Sequence, residues 1–316
     1  MTSPRETPLV IIIIVNWNGL DVLQTCLSSL ERTKHPNFNV VVVDNGSTDD
    51  SVSMVKRDFP QIRLVQNREN LGFARANNQG IRLAIHIGAG YIFLLNNDVE
   101  LKEEDWLVRL IEVAEEDPKV GIIGPGLIYP DGSIQGSAYM MRASPFGLLR
   151  NVLPTAERTA VQVDGVVGAA FLIKRAVVDR IGLLDEAYSP FLYEESDYCV
   201  RARRAGFKVV YYPCVTVVHR LGYSISKIDQ RRRLFVSFKN MARYRLVNYP
   251  MRWLVPSIAA LLLGAFVERE DVSGLSDLKL TKGVGIRIWL VVRALMDNLV
   301  NLDDIVVSRI RNRALA

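Results

Sequence analysis

The stretch Tyr91 to Glu100, YIFLLNNDVE, sets five consecutive apolar residues against two amides and a carboxylate. A run without polar alternation has no face for water, so it predicts a β-strand buried on both faces, as in a parallel sheet covered by helices. Asn96, Asn97 and Asp98 then fall at the carboxyl end of that strand, the edge of an open α/β sheet at which ligands bind. The plain alternative is that this polar triplet only starts the next turn.

Similar runs precede it. Leu9 to Val15, LVIIIIV, predicts a first buried strand, followed by Asn16-Trp17-Asn18-Gly19 and a helix with Val22, Leu23, Cys26, Leu27 and Leu30 at helical spacing. Val40 to Val43 predicts a second strand, which ends in Asp44-Asn45-Gly46-Ser47-Thr48-Asp49-Asp50 before a helix to about Phe59. Ile62 to Val65 reads as a third strand, and the loop Asn67 to Phe73 leads into a helix from Ala74 to His86. Strands separated by helix-length segments imply right-handed βαβ units and a mostly parallel sheet. Neither GxGxxG nor GxxxxGK[ST] follows the first strand, which argues against a dehydrogenase and a P-loop NTPase. Asp44 is suited to accept from a pyrimidine N–H or a ribose hydroxyl, with backbone amides of Gly46 to Thr48 beside it. An Asx-turn and helix cap would use the same residues.

Further on, a helix is expected over Asp105 to Glu116 and a strand over Gly121 to Ile123. Pro125 to Asp164, rich in Gly, Pro and Ser, predicts hairpins and mobile loops around a site. Val166 to Ile173 reads as one strand whose Gly168, Ala169 and Ala170 permit close approach. After a helix from Arg175 to Ile181, the segment Phe191 to Asp197 places Glu194, Glu195 and Asp197 directly behind an apolar stretch. Ser196 or Asp197 is expected to cap the helix that runs through Ala205, with Glu195 projecting from its start. A solvated helix start explains the acids equally. Lys208 to Tyr212 predicts another strand, and His219 follows the run Pro213 to Val218 into a glycine-containing loop.

At 49% apolar content the chain of 316 residues has material for a large core. Its three cysteines, Cys26, Cys199 and Cys214, suit a reducing compartment without disulfides. Charge is segregated: from Arg201 onward 21 Lys and Arg face 8 Asp and Glu, against 18 and 26 before it. The stretches 231–249 and 285–302 mix basic with large apolar residues, as interfacial helices do; the alternative is packing on the catalytic domain or a homodimer contact. An anionic membrane surface or a phosphorylated substrate is the expected partner, and nucleic acid is not. The run at Leu9 is too short for a secretory signal, and Trp253 to Val267, broken by Pro256, is shorter than a membrane span. The expected location is cytoplasmic, peripheral on the inner face of the cell membrane.

The ordered landmarks IIIIVNWNG (11–19), VVVVDNGSTDDSV (40–52), NLGFARANNQGI (70–81), LLNNDV (94–99), GAAFLIKR (168–175), YEESDYCVRARRAGF (193–207) and VVHRLG (217–222) resemble the family 2 glycosyltransferases of the GT-A fold. The resemblance implies a GT-A-type, mostly parallel sheet flanked by helices over residues 1–225, with a Rossmann-like nucleotide-binding half. Residues 226–316 form a basic, amphipathic helical extension. It implies a nucleotide-sugar donor site at Asn16, Asp44, Asn77 and Asn96, with Asn18, Ser47 and Asn97 as further candidates there. Asp98 of a DxD-like motif and His219 would hold a divalent cation, Mn2+ or Mg2+. Glu195 would be the general base, Glu194 its rival, and Asp197 a support for the helix start and acceptor site. Asn96 stands where the family has its first aspartate, which removes a charge from the cation site. That departure resembles the rhamnosyltransferase branch and makes dTDP-L-rhamnose the first donor to consider, with a UDP-sugar as the alternative. The expected acceptor is a glycan or a polyprenyl-diphosphate-linked saccharide, in cell-surface polysaccharide or glycolipid assembly, and the expected mechanism inverts the anomeric carbon. A nucleotidyltransferase and a non-catalytic sugar-nucleotide-binding module are the competing classes; the first lacks its basic loop here, and the second has no use for residues 194–197.

Overall fold

The computed structural model describes residues 7–141, 144, 149–152, 159–220, 222, 228–264 and 283–315. The first half alternates β1 (Val10–Asn16), α1 (Leu20–Leu30), β2 (Phe38–Asp44), α2 (Ser51–Asp58), β3 (Arg63–Gln66), α3 (Phe73–Ile87) and β4 (Tyr91–Asn96). β1 pairs in parallel with β2 and β4, and β3 pairs in parallel with β2. The expected βαβ reading therefore holds. Burial explains it: Ile12, Ile14, Phe93 and Leu95 enter one core layer with Leu23, Leu27 and Trp106. Their neighbours Ile11, Ile13, Ile92 and Leu94 enter the opposite layer with Ala76, Ile81 and Tyr198. Successive side chains of a strand point to opposite faces, so an unbroken apolar run fills both layers.

Next come β5 (Val99–Leu101), α4 (Trp106–Glu116), β6 (Val120–Ile128), β7 (Ile134–Gln135), β8 (Ala138–Met141), β9 (Leu149–Val152), β10 (Val161–Val163), β11 (Gly165–Val166) and β12 (Ala170–Lys174). They are followed by α5 (Arg175–Ile181), a 3-10 turn (Glu186–Tyr188), α6 (Glu194–Arg204), β13 (Lys208–His219), α7 (Gln230–Asn248), α8 (Met251–Gly264), α9 (Val284–Val300) and α10 (Leu302–Arg313). The main sheet of ten strands runs β10-β13-β6-β12-β4-β1-β2-β3, with β5 on β13 and β7 on β6; β11, β8 and β9 form a second sheet. β12 enters antiparallel between β4 and β6, while β13 runs parallel to β6.

Three local expectations are corrected. The expected strand Val166 to Ile173 is two, because the chain leaves the small sheet after β11 and joins the main sheet at β12. Lys208 to His219 is one long strand, with a register shift against β6 between Tyr212 and Thr216 that absorbs Pro213. The helix after the acidic cluster begins at Glu194, and neither Ser196 nor Asp197 caps it; Tyr193 occupies the cap position without a side-chain bond. Strands β7 to β10 lie in the segment expected to hold hairpins; residues 142–143, 145–148 and 153–158 of it lie outside the described residues. So do Leu221 of the VVHRLG landmark and residues 265–267 of the long apolar run. Among the described residues no helix is long and apolar enough to cross a membrane, and no disulfide joins the three cysteines.

The C-terminal helices close on the sheet domain through buried polar contacts. Asp197 is 0% exposed. Its carboxylate accepts from Arg201 Nε at 2.7 Å, Asn248 Nδ2 at 2.8 Å and Asn312 Nδ2 at 3.1 Å, and the Tyr188 hydroxyl lies 3.4 Å away. One carboxylate thus joins α6, α7 and α10. Arg201 also donates to the Ile181 and Leu183 carbonyls, both at 2.9 Å, so the buried cation is fully engaged. A second clasp sets Arg243 of α7 against Asp185 at 3.0 Å and Asp304 at 2.7 Å. Removing one partner of a buried pair strands the other charge. Asp197→Ala is therefore expected to lower unfolding free energy by about 3–5 kcal/mol in a denaturant melt; a loss below about 1 kcal/mol would show that the clasp contributes little.

Candidate active site

The carboxyl ends of β1, β2 and β4 bring together residues far apart in sequence. Asn16 pairs with Asp44 across β1 and β2, and Val15 pairs with Asn96 across β1 and β4. Asn16 Nδ2 lies 3.3 Å from Asp44 Oδ1 and 3.2 Å from Ser47 Oγ, while Asn97 Nδ2 donates to Asn16 Oδ1 at 2.8 Å. Asp44 Oδ2 accepts from the Ser47 amide at 3.0 Å. The first and second loops are stitched by Asn18, whose amide donates to Ser47 Oγ at 2.9 Å and whose Oδ1 accepts from the Thr48 amide at 2.7 Å. Asp49 caps α1 from the other loop, accepting from the Leu20 amide at 3.1 Å, and also accepts from the Ser51 amide. The helix-cap reading of this loop and the polar cluster therefore coexist.

Gly19 and Gly46 make this packing feasible. A Cβ on Gly19 would stand 2.4 Å from Asn97 Nδ2 and 2.7 Å from Asn16 Oδ1. Gly46 has φ +77°, with the Glu69 backbone 2.8 Å from any added Cβ. Asn77 stands apart: it is buried on α3 and donates to the Phe73 carbonyl at 3.0 Å. No hydrogen bond among the described residues ties it to the Asn16 and Asp44 cluster. Its neighbour Asn78 bridges instead to Leu184 and Glu186.

The second group lies where β5 meets β13. Their antiparallel pairing sets His219 opposite Val99, and the Arg220 amide donates to the Asp98 carbonyl. His219 Nε2 comes within 3.3 Å of Asp98 Oδ1, both buried, yet among the described residues that oxygen has no hydrogen-bond partner. On the far side of the ring, Nδ1 is 2.7 Å from Gln135 Oε1. A carbonyl oxygen only accepts, so Nδ1 carries a proton, and in the neutral form of the ring Nε2 presents a lone pair toward the carboxylate. Two facing acceptors with an orphaned oxygen fit a cation. Among the described residues no third His, Cys, Asp or Glu joins them, so further ligands would come from amides, water or substrate. Gln135 escaped the sequence reading; its only signal is its place in DGSIQ, two residues past the turn at Gly132 to Ser133.

The acids of α6 reach this edge through the turn between β11 and β12. The Asn96 amide donates to the Ala169 carbonyl at 2.9 Å, and a Cβ on Gly168 would meet Glu195 Cγ at 3.3 Å. Glu195, half-buried, thus packs against the residue that precedes the one bonded to the end of β4. Burial pushes its carboxyl above the usual range. Glu194 is 4% exposed, and burial together with the neighbouring Glu195 charge raises it well above the usual range. Its Oε2 has no hydrogen-bond partner among the described residues. Asp197 points away into the clasp described above, where it orients α6. Cys199 is buried beside them, and burial pushes its thiol up to about 12, which leaves it no role as a nucleophile.

A mostly parallel sheet, a polar cluster across its carboxyl edge, the antiparallel insertion of β12 and the acids of α6 packed beside the turn that precedes it together define the GT-A class of fold. Two solved structures share that fold. GalNAc-T7 with UDP, GalNAc and Mn2+ superposes with a TM-score of 0.64 at 16% identity over 87% of this chain and 54% of that one. The mannosyltransferase PcManGT from Pyrobaculum calidifontis, in complex with GDP-Man and Mn2+, gives 0.56 at 22% identity over 94% and 88%. The chain belongs to glycosyl transferase family 2, whose model matches residues 11–182, more than half of it. Curated relatives include the Sinorhizobium fredii protein y4gI, 29% identical over 68% of this chain and 25% of that protein, so the chain spans a quarter of this relative. N-acetylglucosaminyl-diphospho-decaprenol L-rhamnosyltransferase of Mycobacterium tuberculosis is 27% identical over 81% of this chain and 92% of that enzyme. The dTDP-rhamnosyl transferase RfbF of Shigella flexneri is 25% identical over 68% and 70%.

The Gly19 contact yields a direct test of the cluster. Gly19→Ala forces Asn97 and Asn16 apart, and overpacking of this kind is expected to cost about 1–3 kcal/mol of stability in a denaturant melt. An unchanged melt would mean that the two amides are free to move.

Proposed function

We propose that this protein moves a sugar from a nucleotide donor, dTDP-L-rhamnose first among candidates, to a hydroxyl of a glycan or polyprenyl-diphosphate-linked saccharide, with inversion, in cell-envelope polysaccharide or glycolipid assembly. The observation that carries the reading is the turn at Gly168 and Ala169: Gly168 packs against Glu195, and the Ala169 carbonyl accepts from the Asn96 amide at the end of β4. In this reading one turn links the acceptor base to the diphosphate side of the site. The mycobacterial decaprenol-linked rhamnosyltransferase and the Shigella dTDP-rhamnosyl transferase, as relatives, support the donor and the lipid-linked acceptor.

In this reading Asp44, Asn16, Asn18 and Ser47 hold the nucleoside, Asn96 and Asn97 line the diphosphate side, and Asn77 lies behind them on α3. Asp98 and His219 hold the divalent ion, oriented by Gln135, and Mn2+ or Mg2+ there would supply Lewis-acid neutralisation of diphosphate charge. Glu195 takes the proton from the acceptor hydroxyl as the anomeric carbon becomes cation-like. Glu194, raised further and more deeply buried, is the rival base. Direct attack without a protein nucleophile gives inversion.

The division of labour follows the sequence: residues 1–225 catalyse and 226–316 position the enzyme. Large exposed apolar side chains gather on α8 to α10, among them Val255 at 80% and Val300 at 86%, with Met251, Leu263, Trp289 and Ile310. Arg252 packs over Trp253, and Arg293 over Trp289 and Phe235. Apolar residues edged by arginine suit an anionic bilayer surface, and a peripheral site on the inner face of the cell membrane places the active site near a polyprenyl acceptor. A homodimer through the same face is the alternative use.

A thermal-shift panel of dTDP-, UDP-, GDP- and CDP-sugars with Mn2+, Mg2+ or chelator tests the donor, because a ligand of the native state raises its melting temperature. A cation-dependent shift with dTDP-rhamnose is expected; a shift with UDP-sugars alone would discard the donor and keep the transferase. No shift with any nucleotide would overturn the donor site. Glu195→Gln should retain that shift and lose turnover by about 10²–10⁴-fold; full turnover would transfer the role to Glu194. The working form of Glu195 is the carboxylate, present above its pKa. Since burial raises that pKa, kcat should decline as pH falls at values above the ordinary carboxylate range, and a profile flat to pH 5 would rule Glu195 out. Vesicle flotation with anionic lipid should recover the protein; its absence would favour the dimer.

A further inference from the structure

The turn that delivers the acids is held in a conformation that its residues do not choose. Leu192 and Tyr193, immediately before Glu194, both have φ +76°. Two consecutive left-handed residues with full side chains persist only where surrounding contacts over-determine them.

Those contacts come largely from α7. Asn240 is 0% exposed, and its Nδ2 donates to the carbonyls of Tyr188 at 2.6 Å, Phe191 at 2.8 Å and Leu192 at 3.1 Å. The adjacent Lys239 donates to the Ser189 carbonyl at 2.8 Å. The remaining carbonyl, Pro190, accepts from the Phe73 amide at 2.7 Å at the start of α3. All five consecutive carbonyls from Tyr188 to Leu192 are thereby engaged. One helical turn beyond Asn240, Tyr244 sets its ring 5.5 Å from that of Tyr193. Residues four apart lie on one face of a helix, so a single face of α7 grips the turn through backbone and ring together.

We propose that Asn240 is a positioning residue for the transfer reaction: its side-chain amide holds the Tyr188 to Leu192 carbonyls, so that the left-handed pair Leu192 and Tyr193 delivers Glu195 against Gly168. The proposal rests on Glu195 being the base. The orientation of the amide is dictated by its surroundings, since turning it over would aim its oxygen at three carbonyl oxygens. Releasing the turn lets both residues relax to negative φ and swings the start of α6, and a misplacement of about 1 Å at a reacting group can lower a rate by roughly 10²-fold.

The test compares full-length variants by steady-state release of nucleoside diphosphate from the donor and acceptor that the panel above selects. Asn240→Asp keeps the shape and replaces the donor group with an acceptor. It is expected to lower kcat by about 10²-fold with donor KM within about threefold of the parent. Asn240→Gln, which keeps an amide donor, should recover most of the loss. Val291→Ala, in the separate cluster with Ala242 and Leu261, serves as the stability control and should lower the melting temperature without moving kcat. If Asn240→Asp does not fold, Lys239→Met removes the Ser189 partner without adding a charge and should lower kcat several-fold at unchanged donor KM. Wild-type kcat in Asn240→Asp, or in Lys239→Met where that variant carries the test, alongside an inactive Glu195→Gln, overturns the proposal. So does an equal kcat loss in Val291→Ala. Full turnover in Glu195→Gln instead removes the base assignment on which the proposal stands, a separate outcome.

Discussion

Burial of the central strands on both faces is the constraint from which the rest of this molecule follows. β1 and β4 are apolar along their length and enclosed by helices and by the β12 insertion. Polar chemistry is excluded from their middles and concentrated at their carboxyl ends, where the backbone register aligns Asn16, Asp44 and Asn96. The same enclosure explains the acids. Glu194 and Glu195 are carried in from α6 to an edge already shielded by the sheet, and that shielding raises their affinity for protons.

The site is built mostly with amides. Asn45 binds Asn70 and the Leu71 amide, and Asn67 donates to Asn45 and exchanges hydrogen bonds with Gln79, which fixes the loop before α3. Asn97 orients Asn16, Gln135 orients His219, Asn240 holds the turn before α6, and Asn248 and Asn312 meet on Asp197. An amide both donates and accepts without adding charge. Carboxylates can then stay close to one another without a crowd of cations competing for them, and the buried cations Arg201 and Arg243 are spent on Asp197 and Asp185.

The sheet was legible because its determinant is local. Apolar runs of strand length, separated by amphipathic segments, announce buried parallel strands wherever they occur, and boundaries fell within a residue or two for β1, β4 and α3. Asn16, Asp44, Asp98, Glu195 and His219 were visible as polar residues terminating apolar runs. Legibility failed where position depends on tertiary partners. Val166 to Ile173 reads as one strand because nothing in its composition says that the chain changes sheets at Gly168. Asp197 reads as a helix cap until Asn248 and Asn312 are seen to enclose it. Asn240 and Gln135 were missed for the same reason: a polar residue on a basic helix or a two-residue strand reads as solvated, and only the fold shows it buried.

The clasp on Asp197 also orders events in time. Asn312 and Asp197 are separated by 115 residues, so a chain emerging at 5–20 residues per second presents α6 roughly 6 to 23 seconds before α10. Asn248 follows Asp197 by only 51 residues, so for much of that interval the sheet can collapse with Asp197 and Arg201 held by one enclosing amide and not yet by Asn312. Asp197 therefore gains its last partner late in biosynthesis, and a chain halted before α10 carries the polar cluster at the strand ends beside an α6 whose clasp is incomplete. On the function proposed above, donor binding and transfer become separate milestones in the birth of the molecule.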